Sequence, residues 1–205
     1  MTKIRSQVPI QVGENSSIPA TLVSFDGLAD KKEHIALLFK GKQAKNENAQ
    51  VEGYLPLVRM HSECLTGDVF NSSRCDCGDQ LEESINKIAE HGGAIVYLRQ
   101  EGRGIGLYPK IDAYALQDEG YDTYEANQKL GFAEDDRCFI VAAEMLKQLG
   151  LTQLKLLTNN PQKVVILQQS GIDVVEAVKT GVFKKHDNIE YLKTKKDKKA
   201  HKIDV

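Results

Sequence analysis

The chain's softest ligands are four cysteines, Cys64, Cys75, Cys77 and Cys138. Three of them fall within fourteen positions, in HSECLTGDVFNSSRCDCG, with ten residues between Cys64 and Cys75 and one between Cys75 and Cys77. In a reducing compartment such clustering favours metal binding over disulfides. Three thiolates can hold Zn²⁺ and leave a fourth position for water, the pattern of catalytic zinc, whereas structural zinc usually has four protein ligands. Zinc brings the pKa of bound water toward ~7, so hydroxide becomes available at neutral pH. Glu63, Asp68 and Asp76 flank the ligands and are placed to support them by hydrogen bonds. The spacing leaves a second reading open, structural zinc with His61 as fourth ligand. Buried cysteines without metal fit less well, because inert cysteines prefer apolar surroundings and this C-x-C is polar and glycine-flanked. Cys138, inside CFIVAAEML, reads as a packed core residue.

Two further segments run from a strand through a turn into a helix. In AIVYLRQEGRGIGLYPKIDAYAL, three glycines allow close backbone approach to a ligand. Arg103 there can clamp a phosphate, and Glu101 offers an acceptor to a base or a metal. In KLLTNNPQKVVIL, Asn160 is placed to cap a helix and Pro161 suits its first position. The free N–H groups of such a helix start attract anions, with Thr158 and Lys163 beside it. Each segment alone is weak evidence. Together with an open-site zinc cluster they suit a phosphorylated substrate hydrolysed by a metal hydroxide.

These residues need a scaffold. ATLVSF, HIALLF and GYLPLVRM read as strands, which makes the N-terminal part β-rich. GKQAKNENAQ, residues 41–50, reads as an exposed loop. QLEESINKIAEHGG puts Leu81, Ile85, Ile88 and Ala89 on one helical face. AIVYLR follows as a buried strand and IDAYALQDEG as a helix. Residues 121–135 show no period and read as a long loop. DRCFIVAAEMLKQLG is then expected as a helix capped by Asp135 or Asp136, LKLLT as a strand, NNPQKVVILQQSG as a helix and IDVVEAV as a strand. The alternation predicts an α/β fold: mixed sheet, β-rich N-terminal part, alternating helix and strand in the C-terminal part. One catalytic domain over residues 1–183 and a loosely ordered tail over 184–205 complete the expectation.

Composition narrows the class. Net charge is −2, so no global field recruits nucleic acid or anionic membrane. Eight lysines crowd residues 184–202, but they read as a solvated end. No stretch approaches the ~18 apolar residues that span a bilayer, and the N-terminus has no signal-like apolar run. A cytoplasmic protein with no nucleic-acid or membrane partner is expected. A zinc nucleobase deaminase would need H-x-E with P-C-x-x-C, and neither is present. A non-enzymatic nucleotide- or nucleic-acid-binding module with structural zinc is the other rival.

HSECLTGDVF with RCDCG, RQEGRGIGL, ALQDEGYDTYEAN, LGFAEDDR and LLTNNPQK together resemble the GTP cyclohydrolase II family, over about residues 59–163. The resemblance implies hydrolysis of GTP with release of formate from C8 and of pyrophosphate. The product is 2,5-diamino-6-(5-phosphoribosylamino)pyrimidin-4-one, the first step toward riboflavin. It implies one catalytic Zn²⁺ on Cys64, Cys75 and Cys77, Mg²⁺ on the triphosphate, and a homodimer. It places Arg59, His61, Ser62, Glu63, Gln80, Glu101, Gly102, Arg103, Thr123, Thr158 and Lys163 at nucleotide contacts. Asp135 matches the proposed proton acceptor, Arg137 the proposed nucleophile toward the α-phosphate, and Tyr114 a tyrosine near the reacting ring. A guanidinium stays protonated, so Arg137 is expected instead to stabilise charge on the phosphate. A family member that stops at the formylated product is the variant reading.

Overall fold

A computed structural model of the chain describes residues 1–42, 54–133, 135–189, 192–193 and 196, without the side chains of Thr123 and Tyr124. The expected loop at 41–50 lies almost wholly outside the described residues, as does the lysine-rich tail beyond residue 196. Among the described residues seven strands are formed: β1 (Lys3–Val12), β2 (Ile18–Asp26), β3 (Ile35–Phe39), β4 (Leu57–Ser62), β5 (Gly93–Leu98), β6 (Gln153–Leu157) and β7 (Asp173–Val178). The helices are α1 (Leu65–Asp68), α2 (Cys77–His91), α3 (Leu107–Asp118), α4 (Thr123–Lys129), α5 (Ile140–Gln148) and α6 (Pro161–Gln169). Two compact units result. The first comprises Met1–His61, Glu82–Leu98 and Phe139–Thr180, the second Ser62–Leu81, Arg99–Cys138 and Gly181–Val205.

The first unit carries the sheet, in the order β1-β2-β3-β5-β4-β6-β7. Pairing is antiparallel from β1 through β2 and β3 to β5, and parallel from β4 through β6 to β7. The fold is therefore mixed α/β, with a β-rich N-terminal part and alternating helix and strand at the C-terminal end. The register brings buried apolar side chains opposite one another. Val23 lies opposite Ala36 and Ala36 opposite Val96, and all three are fully buried. Leu154, Leu156 and Leu157 of β6 extend the same core, and Val141, Met145 and Leu146 of α5 are buried in this unit with them. Burying each such side chain contributes about 1.5–3 kcal/mol. α6 begins as its sequence demands: the Asn160 side chain accepts from Gln162 N at 2.9 Å, with Pro161 at the first helical position.

Four features depart from the sequence reading. β1 was not expected, because KIRSQVPIQV is exposed along most of its length and contains Pro9. It lies at the sheet edge, where a proline costs no ladder bond inside the sheet. Residues 121–135 are not one loop, since α4 forms there. Asp122 and Glu125 cap its start reciprocally: Asp122 Oδ1 accepts from Glu125 N at 3.1 Å and Glu125 Oε2 from Asp122 N at 2.9 Å. α5 begins at Ile140, behind Phe139 and without a side-chain cap, not at Asp135 or Asp136. The Asp135 carboxylate is occupied by Arg137 and cannot serve the helix. Cys138 accordingly lies before the helix and is half-buried, not packed in the core.

Candidate functional site

The second unit gathers the cysteines through two short turns. After Cys64 the chain makes the single turn of α1, closed by Asp68 N donating to Cys64 O at 2.7 Å. The Asp68 carboxylate returns to accept from Cys64 N at 3.0 Å, so one residue fixes both backbone groups of the ligand. Gly67 sits inside this turn, where a Cβ would meet Cys75 Sγ at 2.8 Å, Cys77 Cβ at 3.0 Å and Cys64 Sγ at 3.2 Å. Only glycine lets the turn close over three sulfurs. Cys77 opens α2, where the helix dipole favours a thiolate.

The three sulfurs lie within 4.8 Å of one another, with Cys64 and Cys75 Sγ 3.6 Å apart. Ligands about 2.3 Å from a tetrahedral Zn²⁺ stand about 3.8 Å apart, so the cradle fits the ion. His61 is not in the group, which among the described residues consists of the three cysteines. It stacks on Tyr97 in the first unit, ring centroids 5.5 Å apart. Hydrogen bonds from Cys75 and Cys77 drive the Cys64 thiol far below its usual range. The bond to Cys64 pushes Cys75 up to about 11, and the same neighbour raises Cys77. Thiols gathered in this way are a donor set that a dication would bind by displacing their protons.

The turn at Glu101–Gly104 stands beside them in the same unit. Arg103 there adopts φ 62°, a left-handed conformation that L-residues visit at a cost of roughly 1–2 kcal/mol. Glu101 is buried and bonded on both oxygens: Oε2 accepts from Leu65 N at 2.6 Å, and Oε1 from Gly102 N and Lys110 Nζ, both at 2.8 Å. Tyr114, on α3, shares a hydrogen bond with Thr66 Oγ1 at 3.3 Å, and the Arg74 guanidinium lies 4.9 Å above its ring. Burial raises the Tyr114 pKa, so the phenol keeps its proton at neutral pH. Asp135 accepts from Arg137 Nε at 2.8 Å and Nη2 at 2.6 Å. Burial alone would raise its pKa, but the Arg137 bonds and charge outweigh burial and hold the carboxyl below its usual range.

The remaining expected residues divide between the units. In the second, Glu63 accepts from Arg99 Nε at 2.9 Å, and Gln80 Nε2 donates to Asp76 at 2.7 Å and to Gly181 O at 3.3 Å. Ser62 Oγ is buried, and Gly102 has φ 61°. Thr123 begins α4, and its side chain lies outside the described residues. In the first, Arg59 is buried and donates to Leu157 O at 3.1 Å, and Lys163 to Met60 O at 2.8 Å. Thr158 Oγ1 accepts from Asn160 N at 3.0 Å.

The family model for GTP cyclohydrolase II matches residues 3–179, most of the chain. The chain belongs to the GTP cyclohydrolase II family. It is an enzyme of that kind. Similar proteins named GTP cyclohydrolase-2 include one from Vibrio vulnificus, 55% identical over the whole of both chains. Another, from Vibrio cholerae, is 53% identical over 99% of each chain, and one from Escherichia coli is 50% identical over 88% of each.

Beyond the residues that the resemblance to this family supplied, the structure brings Lys110, Thr66 and Arg74 into the second unit's cluster. Lys110 Nζ donates to Cys64 Sγ at 3.2 Å and to Thr66 Oγ1 at 3.0 Å. Burial alone would lower its pKa, but the Cys64 thiolate and the Glu101 carboxylate hold it above the usual lysine range. One signal was available in the sequence: Lys110 and Tyr114 stand four apart on one helix and so share a face. Gln100, 2% exposed, donates to Cys138 O at 2.7 Å.

Proposed function

We propose that this chain hydrolyses GTP to 2,5-diamino-6-(5-phosphoribosylamino)pyrimidin-4-one, formate and pyrophosphate, with one Zn²⁺ on Cys64, Cys75 and Cys77. The observation that carries the reading is the convergence of three sulfurs at a spacing that suits Zn²⁺, in a chain of this family. When bound, a zinc ion with three protein ligands supplies Lewis acidity and an open position for water. The protein's own groups do the rest. Arg59, His61, Ser62, Glu63, Gln80, Glu101, Gly102, Thr123 and Thr158 bind and orient the nucleotide. The neutral Tyr114 phenol holds a proton near the reacting ring. Arg137 stays charged and, with Arg103, Lys163 and Mg²⁺ on the triphosphate, neutralises the α-phosphate as pyrophosphate leaves. Asp135 aims Arg137 and is ionised, so it can accept a proton, although the guanidinium limits its basicity. A homodimer working in the cytoplasm completes the proposal. A cluster of free thiols suits that reducing compartment.

The test is to incubate the protein with GTP, with and without a zinc chelator, and to assay formate and pyrophosphate separately. Both products are expected from GTP, and ATP should be turned over ~10⁴-fold less well. Pyrophosphate without formate would identify an enzyme that stops at the formylated product. Ammonia, or no reaction, would overturn the proposal. Cys75→Ser should lose zinc and formate release, and Arg137→Ala should lose pyrophosphate release. Wild-type pyrophosphate release by Arg137→Ala would remove the role given to that residue.

A further inference from the structure

Three thiolates around a dication leave a net charge of about minus one, and buried charge is costly unless it is paired. Lys110 brings positive charge to this cluster. Its side chain is 10% exposed, and its ammonium has three N–H groups. Three acceptors take them: Cys64 Sγ at 3.2 Å, Thr66 Oγ1 at 3.0 Å and Glu101 Oε1 at 2.8 Å. Glu101 fixes the lysine in turn, because its other bonds run to Leu65 N in the cysteine turn and Gly102 N in the following one. Thr66 passes the arrangement on to the Tyr114 hydroxyl at 3.3 Å. One ammonium thus touches a metal ligand, the neighbour of the tyrosine, and the carboxylate that ties two loops together.

We propose that Lys110 is a positioning residue of this enzyme: it balances the charge of the cysteine site through Cys64 and sets the Tyr114 phenol through Thr66. The proposal rests on the zinc and GTP reading above and deepens it. Loss of the ammonium leaves the Cys64 sulfur more electron-rich and the site one charge more negative. It also frees Thr66 to swing away from Tyr114. A lysine that merely filled space would leave the electronic state of the sulfur unchanged when replaced by a side chain of similar length.

The experiment uses full-length Lys110→Met, Lys110→Gln and Lys110→Arg beside the parent. Zinc affinity is read by competition with a chromophoric chelator, the sulfur-to-metal charge-transfer band from the Co²⁺-loaded proteins, and kcat and KM from turnover of GTP. Lys110→Met and Lys110→Gln should bind zinc about 10–100-fold more weakly. Their Co²⁺ band should move to longer wavelength, and kcat should fall more than KM changes. Lys110→Arg, which restores the charge, should recover part of the zinc affinity. Parent-like zinc affinity with an unmoved Co²⁺ band in Lys110→Met overturns the proposal, and Lys110→Gln decides on the same terms if Lys110→Met does not fold. A parent that neither binds zinc nor turns over GTP sinks the functional reading itself. An active parent with unchanged variants sinks only this inference.

Discussion

Gly67 leaves no room for a methyl group. A Cβ there would meet two sulfurs and a third cysteine's Cβ at 3.2 Å or less, and none of these can retreat without opening the cradle. Gly67→Ala should therefore weaken zinc binding at least ~10-fold, as lost support of a ligand does, while the chain still folds; zinc titration checks it. Asp135 gives the second residue-level expectation. Its folded pKa lies below the unfolded value of about 3.9, so the unfolded chain binds more protons in that window. The stabilisation is present above the unfolded pKa and is lost as pH falls through the folded one. Asp135→Asn should be the less stable protein at pH 7, with the gap to the parent closing toward pH 3. Urea midpoints across that range measure it, and a gap that widens on acidification contradicts the assignment.

At the scale of elements, α6 and α4 begin by different devices. Asn160 caps α6 through one side-chain bond to Gln162 N, and Pro161 holds the first helical position. Asn160→Ala should cost about 1 kcal/mol, read as a lower denaturant midpoint at unchanged slope. α4 depends on the reciprocal Asp122–Glu125 pair, a D-x-x-E signature with no apolar period behind it. A search for periodicity passes over such a helix, and a search for caps finds it. α1 is a single turn held by Asp68 N on Cys64 O, the Asp68 carboxylate on Cys64 N and Val69 N on Leu65 O, with Glu101 accepting from Leu65 N.

At the scale of the molecule, the sheet and the cysteine site belong to different units. The first unit rests on the apolar side chains buried in β2 to β6, the second on short helices, turns and polar bonds around the sulfurs. A ligand that binds only the folded state adds stability, about 4 kcal/mol when present at 1,000 times its Kd. Chelation should therefore lower the unfolding temperature of the zinc-loaded protein. Hydrogen exchange should show the loss of protection in residues 62–81 and 99–138, with β2, β3 and β5 unchanged. Equal loss across the strands would mean that the metal supports the whole fold. Among the described residues no helix is long and apolar enough to cross a membrane.

The sequence by itself determined whatever depends on near neighbours. The 64/75/77 spacing already marks three cysteines as a candidate metal site while leaving His61 open as a fourth donor, the apolar runs of β2, β3 and β5 already mark them as strands, and Asn-Pro already starts α6. Such patterns survive without tertiary context because their members lie within fourteen positions of one another in the sequence. The tertiary structure decided the rest. β1 is exposed along most of its length, carries a proline, and is a strand only because β2 offers it an edge. Glu101 is an acceptor in the sequence, and in the fold a carboxylate that takes Leu65 N on one oxygen and Gly102 N and Lys110 Nζ on the other. Lys110 is the sharpest case. A lysine belongs on the surface unless its charge is paired, and no local pattern reports the pairing. Cys64 and Glu101, 46 and 9 residues away in sequence, supply it only when the chain has closed around them.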